Sequence, residues 1–174
     1  MLKIVNGRVA RAAVVTALLS LGVLKAQQPG AAALPPVPVP ILDGKTVFLS
    51  NAGLDPMALM ACERAGDRDQ PYHLFYAALK SWGRYELVAA PALADLVLEI
   101  RFSAPLISGG MEAPCLEVTV LDGKTHFRLW TLAEPVQGAL LKGTWNKNMD
   151  QGIANLLDDL KALTTKPGAD PASK

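Results

Sequence analysis

The chain is short of the residues that most site chemistry needs. Among 174 residues there are 2 cysteines and 2 histidines. Neither His73 nor His126 has a carboxylate or cysteine at metal-ligand spacing, so zinc or a similar ion has no ligand set, and no cofactor is implied. No serine occupies a G-x-S-x-G elbow; Ser108 precedes Gly109-Gly110, but nothing nearby in sequence activates it. No apolar run reaches the ~20 residues that a membrane-spanning helix requires. No cysteine lies near the N-terminal apolar stretch, so the lipid attachment of bacterial lipoproteins lacks its acceptor. Basic and acidic residues balance at 17 to 16. Without clustered Lys and Arg, nucleic acid is excluded as a partner and anionic head groups are disfavoured.

What is present begins with an export signal. Lys3, Arg8, Arg11 and Lys25 are accompanied by no acid in residues 1–26, and Ala12 to Leu24 carries no charge. This pattern predicts a signal peptide over 1–26, cut after Ala26 or at the later Ala31-x-Ala33 site, and an exported, periplasmic or secreted protein without stable membrane insertion after cleavage. Losing those basic residues turns the whole-chain charge of +1 slightly negative. Residues 27–43 follow as a proline-rich linker, because Pro29, Pro35, Pro36, Pro38 and Pro40 remove amide donors and favour an extended path.

Residues 44–163 suffice for one domain with a single core. Lys45 to Asn51 is rich in strand formers, whereas Leu54 to Gln70 reads as an irregular loop with one short helix around Pro56 to Ala65. Asp69-Gln70-Pro71 starts a helix with Tyr72, Phe75, Tyr76 and Leu79 at helical spacing, and Gly83 stops it. Tyr85 to Ala89 is extended. In Asp95 to Ser103, Leu96, Leu98, Ile100 and Phe102 alternate with Glu99, Arg101 and Ser103. Leu116, Val118 and Val120 alternate likewise, Asp122-Gly123 turns the chain, and Phe127, Leu129 and Thr131 alternate with Arg128 and Trp130, which together predict a β-hairpin. Glu134 to Thr144 is a loop or frayed edge. Met149, Ile153, Leu156, Leu157, Leu160 and Leu163 stripe a helix capped by Asn146 or Asn148. Residues 164–174 form a polar, disordered tail. The expected fold is α+β: a single, mainly antiparallel sheet in the order β-α-β-β-β-β-α, with two long helices on one face.

Two copies of L-D-G-K-T occur, Leu42 to Thr46 and Leu121 to Thr125. A phosphate-binding loop needs a glycine where Val39 and Val118 stand and a helix where strands follow, so the repeat is turn chemistry used twice. Cys62 and Cys115 either form a disulfide closing a long loop or remain separate thiols. Glu99, Arg101, Glu117, Arg128 and Trp130 fall on outward positions of the sheet and make the candidate interaction face, with a solvated face of ion pairs as the plainer alternative.

Ala94-Asp-Leu-Val-Leu-Glu-Ile100, the Leu121-Asp-Gly-Lys-Thr turn with Leu129-Trp130, and the closing helix resemble a group of uncharacterised exported bacterial proteins. In layout that group is similar to the N-terminal domain of TolB, the CsgG core and the penicillin-binding-protein activator LpoB. The resemblance implies a sheet with helices on one side and a non-catalytic envelope or extracellular module with a protein partner. A small-ligand binder, or less readily a hydrolase, is the alternative.

Overall fold

A computed structural model describes residues 35–105 and 113–165. The expected signal peptide, the first part of the proline-rich linker, the Gly109-Gly110 loop and nearly all of the expected tail lie outside the described residues.

The linker gives up its last residues to the folded body. Val39–Asp43 forms a short helix, α1, with proline in its first turn, where a missing amide costs nothing. Its Ile41 is fully buried in the core. Proline density therefore marked the path into α1 but not the domain boundary. Thr46–Leu54 (β1) follows, irregular between Asn51 and Leu54, where Asn51 Oδ1 accepts from Gly53 N at 3.0 Å.

The short helix expected around Pro56 to Ala65 is a ten-residue helix, α2, Pro56–Ala65, and it takes up most of the segment otherwise read as loop. Its signals were Asp55-Pro56 at the start and Gly66 at the end. Asp55 Oδ1 accepts from Ala58 N at 2.8 Å, and Gly66 sits at φ 88°, the left-handed region that closes a helix readily only as glycine. The other oxygen of Asp55 accepts from Ala104 N at 2.7 Å, tying the start of α2 to a segment 49 residues away.

Helix α3, Gln70–Trp82, ends at Gly83 as expected, and buries Pro71, Phe75 and Leu79. Asp69 does not cap it through its side chain; Asp69 Oδ1 accepts from Asn51 Nδ2 at 3.0 Å instead. The extended stretch after it pairs only over Glu86–Leu87 (β2). Then come β3, Leu96–Ser103, β4, Cys115–Asp122, and β5, Arg128–Pro135. Helix α4 spans Lys142–Thr164, starting well before Met149. Asn146 and Asn148 thus lie inside it, and spend their side chains on Gln70 and on the Gln137 carbonyl.

The single sheet has the order β2-β1-β3-β4-β5, so the α+β class stands. The sheet is mainly antiparallel, as expected, through the meander of β3, β4 and β5, while β1 runs parallel to β2 and to β3. The helical stretch between β1 and β2 is what allows parallel neighbours, since a tight turn cannot join them. One core lies between the helices and the inward residues Val47, Leu49, Leu96, Leu98, Ile100, Phe102, Leu116, Val118 and Val120. The leucine stripe of α4 closes it, with Leu156 and Leu160 essentially inaccessible.

Candidate interaction face

The opposite face of the sheet carries no share of that core, and register assigns its side chains. Strand residues alternate between faces and register partners share one. The rung next to the hairpin turn is Phe48, Val97, Leu121 and Arg128; the next is Ser50, Glu99, Thr119 and Thr131; the third holds Arg101, Glu117 and Ala133. Val97 and Thr119 are buried, Phe48, Glu99, Glu117 and Leu121 half-buried, and Arg101 and Arg128 exposed. Thr119 Oγ1 donates to Glu117 Oε1 at 3.5 Å, and Arg101 stands directly across from Glu117, an opposite-charge pair.

The structure therefore gathers Glu99, Arg101, Glu117 and Arg128 on one face, as expected, and removes Trp130 from it. Arg128 pairs with Leu121 but Trp130 pairs with Val120, leaving Leu129 as an extra residue between the two rungs. A one-residue bulge reverses the phase of every later side chain. Trp130 and Leu132 consequently pack against the core, and Phe127, expected inward, is 74% exposed.

The two L-D-G-K-T copies meet at a residue that sequence reasoning placed only within the A-D-L-V motif. Asp95 Oδ2 accepts from Lys45 N at 2.9 Å and from Thr46 N at 3.0 Å, while Asp95 N donates to Thr46 Oγ1 at 2.9 Å. From the second copy, Gly123 N donates to Asp95 O at 2.8 Å. Asp122 Oδ1 accepts from Lys124 N, Thr125 N and Thr125 Oγ1, which shapes the hairpin turn and lets His126 adopt φ 57°. The open cleft there, about 360 Å³, is lined by Pro40, Asp43, Gly44, Lys45, Asp95, Asp122 and Lys124. Two turns latched by backbone hydrogen bonds account for it.

Both latch carboxylates are held below their ordinary range: Asp95 chiefly by the Lys45 and Thr46 amides, Asp122 chiefly by the Thr125 amide and hydroxyl. A depressed folded-state value contributes stability that is complete above the ordinary carboxylate range and is lost as pH falls through the depressed value. Asp95→Asn is thus expected to be less stable at neutral pH, with a shallower loss on the acid side; urea midpoints measured against pH check this. An unchanged acid limb would remove Asp95 from the latch.

Cys62 and Cys115 are free thiols, and the bridge is not formed. Cys62 is in the core on α2, whereas Cys115 alternates with inward-facing Leu116 and so points to the other side of the sheet. Burial, then Asp67 and Asp69, pushes the Cys62 thiol up to about 11; burial, then Glu117, raises Cys115. In folded protein, a thiol reagent is expected to label Cys115 before Cys62, and unreduced, denatured protein should titrate both. No reactive thiol after denaturation would restore the bridge.

His73 Nδ1 lies 3.1 Å from Asp67 Oδ2 at the surface. Among the described residues, no three His, Cys, Asp or Glu side chains group as a metal site, and no helix is long and apolar enough to cross a membrane.

No family model matches the chain, and no curated protein matches it. Solved structures do. The PelC dodecamer from Paraburkholderia phytofirmans aligns at 16% identity over 67% of this chain and 88% of its own, with a TM-score of 0.47. A putative neuraminyllactose-binding hemagglutinin homolog from Helicobacter pylori aligns at 10% identity over 72% of this chain and 85% of its own, TM-score 0.46. The LpoB C-terminal domain from Salmonella enterica, whose layout the sequence resembles, aligns at 16% identity over 55% of this chain and 84% of its own, TM-score 0.36. These are similarities of layout.

Proposed function

We propose that the chain is an exported, non-catalytic module of the bacterial envelope or extracellular space that binds a protein partner through the face of its sheet on which no helix packs among the described residues. The carrying observation is the composition of that face. A sheet covered on one side ordinarily turns a polar side to water; here the Phe48-Val97-Leu121 rung is apolar, with Arg128 at its end and Glu99, Arg101 and Glu117 on the two rungs farther from the hairpin turn. An apolar strip bordered by charges suits a protein-protein contact, where the charges set register and the accessible parts of Phe48 and Leu121 supply affinity.

Photo-crosslinking residues at positions 101 and 128, with position 159 on the exposed side of α4 as control, test this in intact cells of the native host. The expected result is one discrete protein adduct from both face positions and none from the control. Absence of adducts, or the same adducts at all three positions, would refute the face as the contact.

A further inference from the structure

We propose a second, independent site: the cleft where the end of β5 meets the middle of α4 binds a short, neutral, hydroxyl-rich ligand of the oligosaccharide class. The cleft measures about 480 Å³, within the ~300–1,000 Å³ typical of small-ligand sites. Its polar lining is almost entirely amide: Gln137, Asn148, Gln151 and Asn155, with one carboxylate, Glu134. Hydrogen bonds to one another, to Glu134 and to the Gln137 main chain hold the three α4 side chains in place. Asn155 Nδ2 donates to Glu134 Oε1 at 2.6 Å, Gln151 Nε2 donates to Asn155 Oδ1 at 2.8 Å, and Asn148 Nδ2 donates to the Gln137 carbonyl at 2.9 Å.

Each bond consumes one function of a group that has more. The second Glu134 oxygen, the Gln151 and Asn148 side-chain oxygens and the second amide hydrogens are left for a ligand. A hydroxyl is both donor and acceptor and carries no charge, so it matches this mixture. Among the described residues no lysine or arginine lines the cleft, and a phosphate, sulfate or carboxylate would meet Glu134 without a counter-charge from them. The floor is rigid. Gly152 is buried there, and a Cβ on it would lie 2.9 Å from Val136 Cγ2 and 3.1 Å from Leu116 Cδ1, so α4 packs closely on β4 and on the residue that follows β5. Asn148, Gln151 and Asn155 project from α4 and Glu134 from β5, with Gln137 on the connection between the two elements.

The site is on the helix side of the sheet, and its test is separate from that of the interaction face. Cellotriose, maltotriose and N-acetylchitotriose are titrated into the isotopically labelled mature protein and followed by NMR, with trigalacturonate and glycerol as controls. At least one neutral trisaccharide should produce saturable shifts in the side-chain amides of Asn148, Gln151 and Asn155, and neither control should do so. Gln151→Ala, on an exposed position of α4, and Asn155→Ala should each weaken that binding by roughly tenfold. The Gln151→Ala spectrum should otherwise overlay the parent, which separates loss of a contact from loss of the fold. The proposal is overturned if no trisaccharide saturates these resonances, if trigalacturonate binds as well as the neutral sugars, or if both variants bind like the parent.

Discussion

Replacing Gly123 by alanine is expected to lower the unfolding free energy by about 3 kcal/mol or more and the thermal midpoint by roughly 10 °C. A Cβ at that position would overlap the Ala94 carbonyl oxygen, and would lie 2.8 Å from Ala94 C and 2.9 Å from Asp95 C. All three are backbone atoms, which cannot swing aside as a side chain can. Relief requires the hairpin turn to lift away from the start of β3, and lifting breaks the Gly123 N to Asp95 O bond. That in turn disturbs Asp95, the acceptor for Lys45 and Thr46, so strain in one turn reaches the first strand. Gly138→Ala is the control, since a Cβ there meets nothing within 4 Å. Thermal melts of the two variants should differ widely; equal midpoints would show that the latch contributes nothing.

Phe102→Ala is expected to cost about 3–5 kcal/mol, comparable to a large part of the stability of a domain this size. Phe102 is fully buried on β3, and its ring meets that of Trp145 edge-to-face with centroids 5.9 Å apart. It thereby joins the sheet to the first turn of α4. Trp145 is itself held by Nε1 donating to Gln70 Oε1 at 3.1 Å, and Gln70 Nε2 donates to Asn146 Oδ1 at 3.0 Å, so α3 shares the same contact. Removing the ring leaves a cavity where three elements converge. Urea unfolding gives the cost, and near-UV circular dichroism should lose the Trp145 contribution; Phe102→Leu should keep most of both. A cost under about 1 kcal/mol would mean that the site collapses freely and that Phe102 is not central to the core.

Particular elements show why some of this was legible in the sequence. β3 and β4 were readable because one face is buried and the other is not, so apolar residues recur with period two. The stripe of α4 was readable for the same reason at helical period, although its first turns were missed because their apolar residue, Trp145, stands among polar neighbours. Helix α2 carried its start and stop signals, but alanine-rich helices show little contrast between faces, and Ala58, Ala61 and Ala65 were not recognised as core. Of the candidate face, the residues on β3 and β4 were legible, and Arg128 fell correctly beside the turn. Trp130 was misplaced because a bulge leaves no periodic trace in the residues that form it.

The sequence by itself determined that β1, β3, β4 and β5 are strands and that α3 and the later turns of α4 are helical, which side of β3 and β4 is apolar, and where the Asp122-Gly123 turn and the Gly83 stop fall. Those properties depend on residues within a few positions of one another. Only the tertiary structure decided that β1 lies parallel to β3, that Cys62 and Cys115 are on opposite sides of the sheet, that Ile41 belongs to the core, and that Asp95 joins both L-D-G-K-T turns. Each of these depends on which distant segments come together. Thr46 and Asp95 are 49 residues apart, and local preference carries no information about a contact at that separation.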